Sequence, residues 1–144
     1  RLPELPFPCP LVVFPVHPRT RNHLSKYGIL EKLQKPSSFT IIEPLGYKAF
    51  MNLVFNARIA ITDSGGIQEE TSFLGLPCLT LRPNTERPVT VSTGTNTIVG
   101  SDPKVVMDAV ARILEGDGKA GAVPELWDGR TSERIAEVLV DRLS

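Results

Sequence analysis

A glycine turn between a strand and a helix constrains this chain more than any other stretch. Arg58-Ile59-Ala60-Ile61 is a short apolar, β-branched run that predicts a buried strand. Thr62-Asp63-Ser64-Gly65-Gly66-Ile67-Gln68-Glu69-Glu70 follows. From there Ile67, Thr71 and Leu74 recur at helical spacing until Gly75 and Pro77 close the pattern. Ser64-Gly65-Gly66 therefore falls where strand becomes helix. Glycine lets backbone approach a ligand closely, and the amides at a helix start favour an anion. The turn reads either as a phosphate site or as an ordinary connection that uses glycine for its geometry. It is not a Walker loop, because no Gly-Lys-Ser/Thr follows, and it lacks the Gly-x-Gly-x-x-Gly dinucleotide pattern.

The rest of the chain repeats the same alternation. Leu11-Val12-Val13-Phe14-Pro15-Val16 predicts a strand buried on both faces, with its ladder ending near Pro15. Thr20 is positioned to cap a helix carrying Leu24 and Tyr27, with Gly28 as its stop. Phe39–Ile42 reads as the second strand, followed by the loop Glu43-Pro44-Leu45-Gly46. Tyr47, Phe50, Met51, Val54 and Phe55 then form a helical stripe. Cys78–Leu81 is a further strand, Arg82–Pro88 a polar loop, and Val89–Gly100 a loop holding one short strand. Asp102-Pro103 opens a helix with Val105, Val106, Ala109, Ile113 and Leu114 on its buried face, ended by Gly116. Thr131 begins a last helix with Ile135, Val138, Leu139 and Leu143. Strands alternating with helices predict an α/β, Rossmann-like fold: a parallel sheet with helices on both faces. Ligands bind such sheets outside the carboxyl ends of the strands. That rule selects four loops: His17–Arg21, Glu43–Gly46, Ser64–Gly66 and Arg82–Pro88.

Composition narrows the partners. The chain has 144 residues, 41% of them hydrophobic, enough for one domain with a core. Sixteen basic residues balance 16 acidic ones, so bulk charge argues for neither a nucleic acid nor a membrane surface, and any anion must be held locally. Cys9 and Cys78 fit no metal or redox spacing. Cys78 reads as a buried free thiol, which suits a reducing, cytoplasmic setting. No stretch has transmembrane length or signal-peptide form. The chain starts at Arg1 without an initiator Met and leads with Pro3, Pro6, Pro8 and Pro10, which reads as a piece of a longer protein.

Each candidate has a structural reading beside the functional one. Glu69 and Glu70, placed in the first helical turn, either complement the helix dipole or accept hydrogen bonds from ribose hydroxyls. Arg82 and Arg87 are either solvated or positioned to clamp a pyrophosphate with paired donors. Phe50 is either core packing or an aromatic face for a base. His17, with Arg19 and Arg21, is either structural or a small basic cluster at a strand end. No nucleophile–base pair, metal cluster or convincing acid–base carboxylate pair stands out.

Several of these segments together resemble a known family. They are Thr62–Glu70, Leu74-Gly75-Leu76-Pro77-Cys78-Leu79, Arg82-Pro83-Asn84-Thr85-Glu86-Arg87-Pro88, Gly94-Thr95-Asn96 and Val99-Gly100. With Pro15–Arg21 and Trp127-Asp128-Gly129-Arg130 through Ile135, they are similar to the C-terminal domain of UDP-N-acetylglucosamine 2-epimerases. The resemblance covers nearly the whole chain and is most specific over residues 62–100. It implies the second half of a two-domain enzyme of glycosyltransferase-B type, with residues 1–144 as a truncated UDP-binding domain. It also implies that Ser64, Gly65 and Gly66 bind the diphosphate, Glu70 the ribose and Arg87 the UDP portion. Phe50 and the backbone near Leu45 flank the uracil, and His17 contacts a second, activating UDP-N-acetylglucosamine. The implied reaction interconverts UDP-N-acetylglucosamine and UDP-N-acetylmannosamine, with no NAD or metal as cofactor. The intact enzyme is implied to be a homodimer, and the fragment a monomer.

The chain also departs from the family pattern. The N-terminal domain with the acidic catalytic residues is missing, as is a His-Arg segment early in the second domain that carries a first strand. Val89 stands where many members have an acidic residue, which points to a subgroup. Three alternatives remain beside the isomerase: a hydrolysing epimerase, the donor-binding half of a related glycosyltransferase, and a non-catalytic nucleotide-binding module.

Overall fold

A computed structural model describes residues 11–143. Cys9 and the prolines at positions 3, 6, 8 and 10 lie outside the described residues. The chain divides into two compact units, Arg1–Asn52 and Leu53–Ser144.

In the first unit, β1 (Val12–Pro15) pairs in parallel with β2 (Phe39–Ile42), Val12 opposite Phe39 and Pro15 opposite Ile42. The ladder ends near the proline as expected: the Val16 amide makes its last bond, 3.0 Å to the Ile42 carbonyl. Val16 is fully buried, and Phe14 meets Phe39 edge to face at 6.3 Å. Helix α1 (Pro18–Lys26) is capped by His17, not by Thr20. His17 Nδ1 accepts from the Arg19 amide at 3.3 Å. Pro18 occupies the first helical position, where its missing N–H costs nothing, so the helix begins before Thr20 is reached. Gly28 follows the helix at φ +63°, as a stop glycine should. A single-turn helix, α2 (Leu30–Leu33), was not anticipated by the pattern. Helix α3 (Tyr47–Phe55), whose last three residues belong to the second unit, forms where its stripe predicts, but Tyr47 and Phe55 are 68% and 71% exposed, and Val54 is its buried residue.

In the second unit, β3 (Ala60–Thr62), β4 (Cys78–Thr80) and β5 (Asn96–Ile98) form a parallel sheet in that order, with Ala60, Cys78 and Asn96 in register. The central strand is wholly buried, but β3 has one laddered neighbour in this sheet and its Ile61 is 49% exposed. The expectation of a buried strand, made for residues 11–16 and 58–61, thus fails at β3 as it does at β1, where Val12 is 43% exposed; the strand that is wholly buried is β4. Helix α4 (Gly65–Leu74) packs on all three strands and ends at Gly75 in the left-handed region, φ +69°. Its buried side is Gln68, Thr71 and Ser72; Ile67 and Leu74 are only half-buried. A five-residue helix, α5 (Pro88–Ser92), occupies what the sequence reads as loop. It is too short to show a stripe. Helix α6 (Pro103–Leu114) is capped by the Asp102 carboxylate on the Lys104 amide at 2.8 Å, as Asp-Pro predicts.

The apolar stripes of α6 and of α7 (Thr131–Leu143) are less covered than their periodicity suggests. Val105 is exposed, and so are Ile135, Val138, Leu139 and Leu143. A period of 3.6 marks which side of a helix is apolar, not what lies against it. No described helix is long and apolar enough to cross a membrane.

Cys78 is a buried free thiol, and burial pushes its pKa up. A raised pKa leaves less thiolate at a given pH, so Cys78 should react slowly while the chain is folded. In a Cys9→Ser background, a disulfide reagent at pH 8 should label Cys78 only as fast as the chain opens. Labelling of the folded chain at the denatured rate would contradict this burial.

Candidate functional site

The glycine turn lies where the sequence puts it, at the carboxyl end of β3. Ser64 is the extended N-cap of α4 (φ −92°, ψ 127°), and its hydroxyl makes no capping bond. Its amide is instead tied to Thr62 Oγ1 at 3.0 Å, which fixes the turn from inside. Gly65 and Gly66 are the first two helical residues, so their amides precede the helical ladder. Glu69 and Glu70 fall in the second turn of α4 rather than the first, so the dipole reading loses its basis.

Arg87 reaches this turn from the β4–α5 loop. A side chain added at Gly65 would meet Arg87 Cγ at 3.7 Å, an ordinary contact, so Arg87 lies directly beside the first helical residue. Its Nε pairs with Glu69 Oε1 at 2.8 Å. Both side chains are substantially exposed, and such a pair contributes only about 0–1 kcal/mol. The pair orients the guanidinium and leaves its Nη2 without a hydrogen bond among the described residues. Arg82 is placed differently. It grips Glu86 through two bonds of 2.8 and 3.1 Å, which hold the Glu86 carboxyl below the usual carboxylate range. Each loop arginine keeps further N–H donors beyond these bonds. Arg87 is the one whose own side chain lies against Gly65, with the Arg82-bound Glu86 carboxylate 3.8 Å from the same added Cβ.

Behind Arg87 lies a buried polar layer that the sequence reading missed. Gln68 Oε1 accepts from Thr85 Oγ1 at 2.5 Å and from Asn96 Nδ2 at 3.1 Å. Asn96 Nδ2 also donates to Thr90 Oγ1 at 3.1 Å, and Asn96 Oδ1 accepts from Thr80 Oγ1 at 2.7 Å. Gln68, Thr80, Thr90 and Asn96 are all 0% exposed. Gln68 Nε2 has no partner among the described residues, a cost of about 1–3 kcal/mol. What Gln68 contributes is therefore the two bonds to its oxygen. The available sequence signal was Gln68, Thr71 and Ser72 at i, i+3 and i+4, a helical period written in polar residues.

The remaining candidates sit in the first unit. His17 is exposed and serves as the α1 cap. Arg21 is paired with Glu43 at 2.9 Å. Leu45 is 38% exposed in the β2–α3 loop. Phe50 is half-buried, its amide on the Gly46 carbonyl at 3.0 Å. Ser64, Gly65, Gly66, Glu70 and Arg87 belong to the second unit, where the first three and Arg87 converge. Among the described residues no cluster of three or more His, Cys, Asp or Glu is placed to hold a metal ion.

Parallel strands, a glycine turn opening a helix at a strand end, and an arginine beside that turn put free amides and a guanidinium at one strand end of an α/β unit, groups whose chemistry favours an anion. The family model for UDP-N-acetylglucosamine 2-epimerase matches residues 6–140, and the chain belongs to that family. The Methanococcus maripaludis UDP-N-acetylglucosamine 2-epimerase is 43% identical over 121 residues, covering 78% of this chain and 33% of that protein. The crystal structure of the Methanocaldococcus jannaschii UDP-GlcNAc 2-epimerase in complex with UDP-GlcNAc and UDP is similar at TM-score 0.78. It is 41% identical and covers 89% of this chain and 35% of that one. The Neisseria meningitidis enzyme bound to UDP-GlcNAc gives TM-score 0.77 at 33% identity, over 90% and 35% of the two chains. The chain thus spans about a third of the length of the relatives it matches.

Proposed function

We propose that this chain is the UDP-holding part of an enzyme that interconverts UDP-N-acetylglucosamine and UDP-N-acetylmannosamine. The observation that carries the reading is Arg87 lying beside Gly65 at the mouth of an uncapped helix start. The archaeal relative seen with UDP-GlcNAc and UDP supports it.

In this reading the amides of Gly65 and Gly66, with the Ser64 hydroxyl, take the diphosphate, and the open guanidinium edge of Arg87 takes the same charge from the side. Glu70 takes the ribose hydroxyls. The family resemblance assigns uracil contacts to Phe50 and the backbone at Leu45, and a contact with a second nucleotide sugar to His17, all residues of the first unit. The whole enzyme is cytoplasmic and homodimeric.

The chemistry divides accordingly. Loss of the C2 proton and cleavage of the C1–O bond release UDP and leave 2-acetamidoglucal. UDP then adds back, with reprotonation of C2 from the other face. Donors fixed around the diphosphate stabilise the negative charge that builds on the leaving group. They also keep UDP beside the glucal, which makes readdition effectively unimolecular. The groups that move the C2 proton belong to the rest of the enzyme.

Product analysis tests the reading. The whole enzyme, given UDP-N-acetylglucosamine, should form UDP-N-acetylmannosamine, while the 144-residue chain alone should turn over nothing. Release of free N-acetylmannosamine with UDP would instead establish the hydrolysing alternative. Transfer of the sugar to an acceptor would establish the glycosyltransferase.

A further inference from the structure

We propose that Gln68, Thr85, Thr90 and Asn96 are positioning residues for Arg87: a side-chain network, buried at Gln68, Thr90 and Asn96 and half-buried at Thr85, that ties both ends of the Arg87 backbone to the helix carrying the glycine turn. The proposal rests on the UDP-holding reading above for its purpose, but its geometry is independent of it.

The Arg87 amide donates to Thr85 Oγ1 at 2.9 Å, and the Thr85 hydroxyl donates onward to Gln68 Oε1. The Arg87 carbonyl accepts from Thr90 Oγ1 at 2.7 Å and from the Thr90 amide at 3.0 Å. Thr90 Oγ1 in turn accepts from Asn96 Nδ2, which also donates to Gln68 Oε1. Both routes converge on one atom, the Gln68 oxygen, four residues along α4 from the Ser64 cap. Each hydroxyl is used twice, once as donor and once as acceptor, so donors and acceptors are consistent throughout.

An apolar filling of the same space would hold the loop close without fixing its orientation, because burial is non-directional. Hydrogen bonds to both the N–H and the C=O of one residue fix the direction in which its side chain leaves the backbone. The surface pair with Glu69 is too weak to do this unaided. The network therefore fixes the backbone from which the Arg87 side chain leaves toward the turn before any ligand arrives, and the pre-set geometry spares a ligand the cost of ordering the loop.

The test is a double-mutant cycle on the 144-residue chain, with Thr85→Val as the isosteric change. UDP affinity is measured by calorimetry for the wild type, Thr85→Val, Arg87→Ala and the double variant. Thr85→Val should weaken binding about fivefold or more while Arg87 is present and less than about twofold when Arg87 is alanine. Thr85→Ser, which keeps the hydroxyl, should restore affinity. Equal losses in the two backgrounds, or no loss in either, would overturn the proposal. A second readout is the 15N-resolved Nε–H signal of Arg87. It should be distinct in the wild type and in Thr85→Ser, and should collapse toward the solvent-averaged position in Thr85→Val. If the wild-type chain binds no UDP, the pocket needs the rest of the enzyme and the affinity cycle is run there, while an Arg87 signal unchanged by Thr85→Val in the 144-residue chain overturns the network on its own.

Discussion

Replacing Arg87 by alanine should weaken UDP binding about ten- to a hundredfold, corresponding to the roughly 1.5–3 kcal/mol of a hydrogen bond to a charged group. The size follows from how the residue is held. Glu69 occupies its Nε and the 85–90 loop fixes its backbone, so the guanidinium meets an anion at Gly65 with little ordering left to do. Arg87→Lys should recover only part of the loss, since a point charge cannot pair with Glu69 and present a planar fork at once. Folding should change little, because the pair that is lost is a surface one. Isothermal titration of the variants with UDP, alongside melting curves, separates the two effects. A variant within twofold of the wild type would remove Arg87 from the site.

Gly121→Ala should destabilise the chain strongly. A Cβ at Gly121 would lie 2.5 Å from the Gly94 carbonyl carbon, 2.7 Å from its oxygen and 2.7 Å from the Thr95 nitrogen. All three are backbone atoms, so no side chain can rotate away. The strap that carries Gly121 is also pinned. The Ala122 amide donates to the Thr93 carbonyl at 2.9 Å, and Lys119 Nζ donates to the carbonyls of Val91 and Asn96. Gly94 is equally tight on its other side, where a Cβ would meet Ser72 Oγ at 2.3 Å. Overpacking of a close-packed interior costs about 1–3 kcal/mol, and immovable backbone puts this site at or above the upper end. For a chain of this size that is a fall in melting temperature of about 10 °C. Gly46→Ala is the internal control: nothing lies within 4 Å of its added Cβ, and it should melt with the wild type. A Gly121→Ala variant as stable as Gly46→Ala would show that the strap is not seated as described.

What could be read from the sequence was what local chemistry dictates. Asp102-Pro103, Gly28 and Gly75 announce helix ends through capping and backbone freedom, and each acts where the residues place it. The Ser64-Gly65-Gly66 turn was legible because a strand pattern and a helix pattern meet there. His17 as a cap was not, because Thr20 is the better capping residue type and Pro18 moved the helix start. The coverage of α7 was not legible either, since its stripe specifies an apolar side without naming what covers it. The largest omission was the layer of Gln68, Thr85, Thr90 and Asn96. A glutamine, two threonines and an asparagine spread over 29 positions carry no common pattern, and only the fold brings half-buried Thr85 against the buried Gln68, Thr90 and Asn96. The pairing of Glu69 with Arg87, 18 residues apart, is hidden for the same reason.

The most direct test of the central claim is a UDP titration of the 144-residue chain followed in 1H–15N spectra. The claim predicts saturable shifts of the Gly65, Gly66 and Ile67 amides and of the Arg87 Nε–H, reporting one shared dissociation constant. Saturable shifts confined to other parts of the chain, with the Gly65, Gly66 and Arg87 signals unmoved, would contradict it.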